Sequence, residues 1–294
     1  MKLPNGVKII KGDHENVRAR MNREDVVYQR KNGRNLHIRF IYPQQDHVER
    51  RYPLVLHIQG SGWHDQNLND HLLDYKEIVT AGYVLAIVEY LPVPYGVFPS
   101  QVKDAKTAMR YIVEHADEHH VDPENLFLMG DSSGGHTALM CWATWNTKKF
   151  DATTEPLPQV RAFVDLYGVV DFLTLSEDDP ERDYKQANTP EAQVLGGHIP
   201  NEYPKIAEKA SVLNHITEST ANDPLLILHG TEDTVVPFKQ SVRLFVHAQE
   251  LNKEISFYAV EDGAHGQSIF YNKETIETII NFLDKHKTSN YNWF

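Results

Sequence analysis

The stretch 127-FLMGDSSGGHTALM-140 connects an apolar run to a segment of helical character through small and polar residues. Its spacing fits a phosphate-binding loop, G-x-x-x-x-G-K-[ST], but His136 occupies the lysine position. Gly130 and Gly134 also flank Ser132 in a G-x-S-x-G frame, which is typical of a nucleophilic serine on a sharp turn from a strand to a helix. The rest of the chain has to distinguish a phosphate site from a nucleophile.

Short apolar runs recur along the chain, and helical or loop sequence separates them. Runs of this kind are typical of parallel strands that are buried on both faces of a sheet. The predicted strands are residues 54–58, 83–90, 126–129, 162–167, 225–229 and 255–260. The predicted helices are residues 70–81, 99–119, 135–145, 238–251 and 273–286. This alternation predicts an α/β protein whose doubly wound sheet carries crossover helices on both faces.

An antiparallel hairpin is predicted ahead of these strands. Residues 26–30 and 36–42 form two alternating runs, and Asn32 and Gly33 lie between them. An Asn-Gly pair in this position is a strong hairpin signal, because both residues tolerate the left-handed backbone conformation that a tight turn requires.

The length and composition of the chain fit one domain. The 294 residues include 41% hydrophobic and 10% aromatic residues, so the chain can bury a large core. Residues 172–223 interrupt the alternation of strands and helices with scattered proline and glycine. We interpret them as an insertion or partial lid. We therefore expect a single domain over residues 1–294, with its core at 25–288.

Charge and composition argue against several classes of partner. The chain has 29 Lys and Arg against 41 Asp and Glu, a formal charge of −12, so neither nucleic acid nor an anionic membrane surface is an expected partner. Its longest apolar runs are too short to span a bilayer, and residues 1–17 lack the apolar segment of a signal peptide. The single cysteine, Cys141, cannot form an intramolecular disulfide. We therefore expect a cytoplasmic protein.

Three residues that follow predicted strands fit the chemistry of a nucleophilic serine. A serine hydroxyl needs an imidazole to take its proton, and the imidazole needs a carboxylate to orient it. Ser132, Asp233 and His265 each follow a strand, and their order along the chain is one of the known orders of such a triad. Asp171 also follows a strand and is a second candidate for the carboxylate. Asp233 is favoured, because the stretch 229-HGTEDTVVP-237 places it in the loop between a buried strand and the next helix.

The residues after the strand at 54–58 predict donors for a developing oxyanion. Gly60, Ser61 and Gly62 form a compact loop whose backbone N–H groups can point into the site. The N–H of Ser133, directly after the candidate nucleophile, adds another donor. We therefore predict an oxyanion hole made from backbone N–H groups of this loop and of Ser133.

Three aromatic residues are candidates for the walls of a substrate pocket. Trp63, Tyr90 and Tyr167 each follow a predicted strand near the expected mouth of the site. They line an acyl or alcohol pocket in one interpretation, and they pack in the core in the other.

Residues 115–119 match H-x-x-E-H, which is a zinc-peptidase motif. His115 and His119 share one face of a helix, so zinc binding is geometrically allowed. However, the predicted helix at 99–119 leads away from the carboxyl edge of the sheet, which places both histidines far from Ser132. We predict no metal site and no cofactor.

Five segments in combination resemble the esterase and lipase branch of the α/β-hydrolase superfamily, especially the hormone-sensitive-lipase-like carboxylesterases and the bacterial acetyl-xylan and feruloyl esterases. The segments are 55-VLHIQGSGW-63, 88-VEYLPVPYGVFPSQVKDAKTAMRYI-112, 129-MGDSSGGHTAL-139, 210-ASVLNHI-216 and 224-PLLILHGTEDTVVP-237. The resemblance covers roughly residues 25–288. It implies an α/β-hydrolase fold with a mostly parallel sheet of roughly eight strands. It also implies Ser132, Asp233 and His265 as the triad, and the backbone N–H groups of Ser61, Gly62 and Ser133 as the oxyanion donors.

The candidate oxyanion loop departs from the family pattern at two positions. The family usually begins this loop with His-Gly-Gly-Gly, whereas this chain has Gln59 in the first position and Ser61 in the third. Because the donors are backbone N–H groups, we expect activity to survive these replacements. The hydrogen bonds that anchor the loop must differ.

The resemblance also implies a function. The expected protein is a serine carboxylesterase that hydrolyses small-molecule esters with short acyl or aryl groups, such as esters of sugars or plant phenolics, through an acyl-enzyme intermediate. Two alternatives stay open: a serine peptidase related to the prolyl-oligopeptidase catalytic domain, and a hydrolase fold that binds a ligand without catalysis. The sequence does not define the oligomeric state, and a homodimer is compatible with it.

Overall fold

A nine-stranded sheet runs through the residues that the structure, a computed structural model, describes, which are 7–11, 16–44 and 50–288. Its strands are β1 (Arg18–Met21), β2 (Val26–Lys31), β3 (Arg34–Gln44), β4 (Tyr52–Ile58), β5 (Val84–Val88), β6 (Val121–Asp131), β7 (Val160–Leu166), β8 (Leu225–Gly230) and β9 (Ile255–Val260). Their spatial order is β1-β3-β5-β4-β6-β7-β8-β9, with β2 beside β3. Strands β4 to β9 pair in parallel, which confirms the predicted, mostly parallel sheet.

The described residues contain eight α-helices, of which the last follows the final strand. They are α1 (Lys76–Thr80), α2 (Ser100–Glu114), α3 (Ser132–Thr144), α4 (Leu175–Asp178), α5 (Pro190–Val194), α6 (Pro204–Ala210), α7 (Lys239–Glu250) and α8 (Lys273–His286). None of the helices in this part of the chain combines the length and the apolar character needed to cross a bilayer.

The two faces of the sheet form separate hydrophobic clusters because successive side chains of a strand point in opposite directions. In β4, Leu56 contributes to the cluster that contains residues of α2, α3 and α7. Val55, its neighbour, belongs to the cluster that contains residues of α1 and α8. Every residue of β4 is buried, as expected for a central parallel strand. The predicted arrangement of helices on both faces is therefore confirmed.

The predicted hairpin is present at one edge of the sheet. Strands β2 and β3 pair antiparallel, and Lys31 lies opposite Arg34. Asn32 has a φ of 49° and Gly33 a φ of 77°, so both turn residues have the left-handed conformation that matches the twist of a hairpin.

Three helix boundaries differ from their predictions. The helix predicted at 70–81 shortens to α1, because His71 has a φ of 61° and residues 70–75 form turns. The helix predicted at 99–119 ends at Glu114, and His120 has a φ of 50° in the turn that follows. Helix α3 begins at Ser132, three residues earlier than predicted, because the strand β6 leads directly into the helix.

The inserted residues 172–223 contain α4, α5, α6 and a 3₁₀ turn at Val212–His215. Hydrogen bonds attach them to the rest of the fold, since Asp178 accepts from Gln240 Nε2 at 2.7 Å and Val194 accepts from the N–H of Phe98 at 2.8 Å. We propose on this basis that the chain forms one domain. The residues outside the described ranges are 1–6, 12–15, 45–49 and 289–294. Residues 1–6 and 12–15 make up most of the segment considered for a signal peptide.

The two histidines of the H-x-x-E-H pattern take part in aromatic packing. The ring of His119 stacks on Phe40 with 4.0 Å between ring centroids, and its Nδ1 lies 3.1 Å from the hydroxyl of Tyr42. His115 stacks on Tyr111 at 4.1 Å. Among the described residues, no group of three or more His, Cys, Asp or Glu is arranged to hold a metal ion.

Candidate active site

A sharp turn between β6 and α3 carries the candidate nucleophile. Ser132 has a φ of 52°, which is unusual for a residue with a side chain and marks a strained turn. Glycine is required on both sides of it. A Cβ atom at Gly130 would collide with the carbonyl oxygen of Gly134, and one at Gly134 would collide with the carbonyl oxygen of Ile58. The G-x-S-x-G frame is therefore a consequence of close backbone packing.

Two loops bring a histidine and an aspartate to this serine. The Nε2 atom of His265 lies 2.8 Å from Ser132 Oγ, and its Nδ1 atom lies 2.7 Å from Asp233 Oδ2. With Nδ1–H donated to the carboxylate, Nε2 is the acceptor for the hydroxyl proton. The three residues predicted from their positions after strands thus form one continuous row of hydrogen bonds.

Asp233 is held by its own loop and by a second histidine. Its Oδ1 atom accepts the N–H groups of Val235 at 2.8 Å and Val236 at 2.9 Å. His229 Nε2 lies 3.3 Å from Asp233 Oδ2. Burial raises the pKa of Asp233, but the imidazoles of His229 and His265 lower it by more than burial raises it. The net pKa of Asp233 therefore lies below its ordinary value. Asp233 is therefore ionised at neutral pH and can stabilise a positive charge on His265.

The alternative carboxylate, Asp171, lies in a different network. Its Oδ1 accepts the N–H of Leu173 at 3.0 Å and the hydroxyl of Ser211 at 2.9 Å, and its own N–H donates to Gln240 Oε1 at 2.8 Å. These bonds close the turn that begins the insertion. Of the two candidates left open by the sequence, Asp233 is the one in contact with His265.

The candidate oxyanion loop is tied to the nucleophile turn by two of its backbone N–H groups. Gly60 donates to Asp131 Oδ1 at 3.0 Å, and Ser61 donates to Ser133 Oγ at 2.9 Å. The N–H of Ser61, predicted as an oxyanion donor, is thus occupied by a side chain that the prediction did not consider. Within the described part of the chain, the N–H groups of Gly62 and Ser133 have no hydrogen-bond acceptor.

A cluster of hydroxyl groups anchors this loop. Tyr90 Oη lies 2.9 Å from Ser61 Oγ and 3.1 Å from Ser133 Oγ, and Ser61 Oγ donates to the carbonyl oxygen of His64 at 2.8 Å. Burial raises the pKa of Tyr90 to about 12, so its phenol stays protonated. Tyr90, predicted as a pocket residue, is buried and is not among the residues that line the cavity in front of Ser132.

A buried histidine and a buried aspartate lie next to each other beside the same loop. His57 Nε2 lies 3.2 Å from Asp131 Oδ1, and both side chains are almost completely buried. Burial acts to raise the pKa of Asp131, but the adjacent imidazole of His57 and the N–H of Gly60 lower it, and the net pKa lies below its ordinary value. Asp131 is thus an ionised acceptor that fixes Gly60 against the nucleophile turn.

A cavity of about 330 Å³ opens in front of Ser132 and His265. Of the predicted pocket aromatics, Trp63 and Tyr167 line it. Trp63 packs on Phe172 with 5.6 Å between ring centroids. The ring of Tyr167 lies 4.8 Å from that of His265.

Sequence reasoning missed much of the cavity wall. His71 and Tyr271 line one part of it, and their rings stack at 4.7 Å. Arg182, Pro190 and Glu191 reach the cavity from the insertion. These residues lie outside the strand ends and outside any motif, so no sequence signal marks them.

His136 decides against the phosphate-binding interpretation. Its Nε2–H donates to the carbonyl oxygen of Ala210 at 2.8 Å, and its ring packs against Trp63 and Phe172 at 5.4 and 5.2 Å. Burial lowers the pKa of His136 to about 4, so the imidazole is neutral at physiological pH. A buried neutral ring cannot supply the cation that the lysine of a phosphate-binding loop provides.

Comparison with known proteins agrees with this geometry. The BD-FAE family model matches residues 40–247, well over half of the chain. The chain belongs to the BD-FAE family. This confirms the resemblance to the esterase branch of the α/β-hydrolase superfamily.

Individual relatives of this BD-FAE protein include named esterases. The probable carboxylic ester hydrolase LipM of Mycobacterium tuberculosis is 26% identical over 213 residues, which cover 70% of this chain and 47% of that protein. Esterase LipC of the same organism is 21% identical over 235 residues, which cover 77% and 56% of the two chains. The chain thus spans about half the length of the curated relatives it matches.

A solved structure confirms the fold. A truncated form of a carbohydrate esterase from gut microbiota superposes with a TM-score of 0.77 over 94% of this chain and 98% of that one, at 23% identity. At this identity the likeness shows the α/β-hydrolase fold alone.

A further buried carboxyl group, in addition to Asp131 and Asp233, lies against helix α3. Asp165, near the end of β7, is completely buried, and its Oδ1 accepts the N–H of Gly168 at 3.1 Å. Its Oδ2 has no hydrogen-bond partner within the described residues. Burial, with a smaller contribution from the charge of Asp131, raises the pKa of Asp165 to about 8.

Asp165 is expected to make stability fall as the pH rises. The unfolded carboxyl group loses its proton near pH ~4, whereas the folded one holds it to about 8, so the unfolded state binds fewer protons in between. Asp165→Asn should remove a decline of up to about 1.4 kcal/mol per pH unit in the free energy of unfolding. Urea titrations from pH ~5 to ~7 measure this slope. Asp183→Asn, at an exposed position, is the control, and an unchanged slope in Asp165→Asn would contradict the assignment.

Proposed function

We propose that this protein is a serine carboxylesterase in which Ser132 is the nucleophile, His265 the general base and acid, and Asp233 the residue that orients His265. The observation that carries the proposal is the continuous hydrogen-bonded row from Ser132 through His265 to Asp233 on the wall of a cavity. Such a row activates a hydroxyl for attack on an acyl carbonyl.

In the proposed reaction, Ser132 Oγ attacks the ester carbonyl while His265 Nε2 takes the hydroxyl proton. The N–H groups of Gly62 and Ser133 stabilise the negative charge on the carbonyl oxygen. His265 then gives the proton to the leaving alcohol, which leaves an acyl group on Ser132. Water, activated by the same imidazole, hydrolyses this intermediate.

The size of the cavity favours short acyl groups. A volume of about 330 Å³ is near the lower end of the range for small-molecule sites. The residues that line this cavity include Ser132, Trp63, Tyr167 and the charged residues of the insertion. We propose dissolved esters with short acyl groups as substrates, and esters of sugars are included because one similar solved structure is a carbohydrate esterase.

The first prediction concerns the nucleophile. Ser132→Ala should abolish ester turnover and covalent labelling by a fluorophosphonate, because no other hydroxyl lies against His265 Nε2 in the described residues. Ser133→Ala is the matched control. It keeps the backbone N–H and should still be labelled, at a lower rate, since the bond that holds the N–H of Ser61 is lost. Intact-mass analysis measures the label, and a label on Ser132→Ala would exclude this nucleophile.

The second prediction separates the two carboxylates. Asp233→Asn should lower kcat by a factor on the order of 10⁴, because the amide cannot hold the imidazole in the required tautomer or stabilise its cation. Asp171→Asn removes a similar loop carboxylate that lies outside the row, so its kcat should change far less. Steady-state kinetics on one acetyl ester compare them. A larger loss in a folded Asp171→Asn would reverse the assignment.

The third prediction concerns the acyl group. kcat/KM on p-nitrophenyl esters should be highest from acetyl to butyryl, because longer chains exceed the cavity, and the rate should not jump when the substrate forms micelles. Peptidyl p-nitroanilides should be cleaved negligibly. A preference for chains of ten or more carbons would favour a lipase, and efficient amide cleavage would favour a peptidase.

A further inference from the structure

An ion pair from the insertion forms part of the cavity wall. Arg182 Nη2 donates to Glu191 Oε1 at 2.8 Å and to Oε2 at 3.1 Å. The Glu191 side chain is 5% exposed, and that of Arg182 is 26% exposed. Both residues line the same cavity as Ser132 and His265. The pair therefore lies on the wall of the cavity in which an ester would reach the nucleophile.

Contacts on several sides hold the pair in place. Arg182 Nη1 donates to the carbonyl oxygen of Val235 at 2.7 Å, and its guanidinium lies 4.8 Å from the ring centroid of Tyr184. Glu191 lies in the first turn of α5, beside Pro190, whose Cβ is 3.5 Å from the position of a Cβ on Gly62. Arg182 thus contacts the loop of the candidate acid, while Pro190, the neighbour of Glu191, packs against the loop of the candidate oxyanion donors.

A fixed ion pair is a poor wall for an apolar group. Removing two charges from water is unfavourable, and apolar side chains of similar volume usually give equal or greater stability. An acetyl or butyryl group needs only an apolar surface. The position of the pair is therefore better explained by a polar part of the substrate.

The chemistry of the pair matches neighbouring hydroxyl groups. A hydroxyl both donates and accepts hydrogen bonds, and Arg182 and Glu191 place a donor and an acceptor side by side. Arginine has five N–H donors, and the side-chain hydrogen bonds of Arg182 to Val235 and Glu191 come from its two terminal nitrogens. An anionic group is a weaker fit, because Glu191 already neutralises the guanidinium and would repel it.

We propose that Arg182 and Glu191 form a subsite for hydroxyl groups on the alcohol part of the substrate. The subsite selects acyl esters of polyhydroxylated alcohols, in which a free hydroxyl neighbours the ester oxygen. This inference rests on the proposed esterase function and adds to it the residues that recognise the leaving alcohol.

Two matched substrates test the subsite. Cyclohexyl acetate and trans-2-hydroxycyclohexyl acetate carry the same acyl group and differ by one hydroxyl beside the ester. The wild-type protein should prefer the hydroxylated ester in kcat/KM by about 10- to 100-fold, the effect of a hydrogen bond to a charged group. Glu191→Gln and Arg182→Lys should each lose most of this ratio. Because the ratio is internal to each variant, a general loss of activity or stability does not alter it.

The control variant comes from a second ion pair, which joins the insertion to α7. Arg243 Nη2 lies 2.6 Å from Asp178 Oδ1, and neither residue lines the cavity. Arg243→Gln should therefore keep the wild-type ratio. Equal kcat/KM for the two esters in the wild type, or a wild-type ratio in both Glu191→Gln and Arg182→Lys, would overturn the subsite while leaving the esterase function intact. If the wild-type protein hydrolyses neither of the two esters nor p-nitrophenyl acetate, both proposals are overturned.

Discussion

Direct backbone contact between the nucleophile turn and the end of β4 is the constraint on which the candidate site depends. Gly134 lies so close to the carbonyl oxygen of Ile58 that no side chain fits between them, and a Cβ on Gly60 would also collide with Asp131 and Ser132. The turn that carries the serine and the loop that carries the oxyanion donors are therefore packed as one unit. This packing also holds Ser132 in its unfavourable backbone conformation.

Buried carboxylates join this unit to the rest of the site. Asp131 accepts the N–H of Gly60 and lies beside His57, while Asp233 accepts N–H groups of its own loop and lies beside His229. A buried carboxylate is stable only when hydrogen bonds and nearby positive groups replace its hydration. The hydrogen bonds that stabilise these two carboxylates also hold their loops in place. The positions of the oxyanion donors and of Asp233 therefore depend on these bonds.

The parts of the site that sequence predicted are those whose signals are local. Ser132 lies in a short motif, and parallel strands bring the residues at their carboxyl ends to one edge of the sheet. For the carboxylate, the sequence favours Asp233 over Asp171 by its place between a buried strand and the next helix, but the contact with His265 depends on the path of the loop and is seen only in the structure. The occupied N–H of Ser61 was missed for a related reason, because the direction of the Ser133 hydroxyl depends on a tyrosine from a different strand end.

The insertion could be located from its sequence, but its part in the cavity could not. Its residues lack the period of a strand or of a long helix, and their positions depend on distant contacts such as that of Asp178 with Gln240. The sheet and its strand-end loops supply the groups suited to acyl transfer, which are the same for any ester. The insertion supplies Arg182 and Glu191, which line the cavity and are hydrogen-bonded to each other instead of to the row of Ser132, His265 and Asp233. Selection among substrates can therefore change through residues 172–223 without disturbing the packed unit around Ser132.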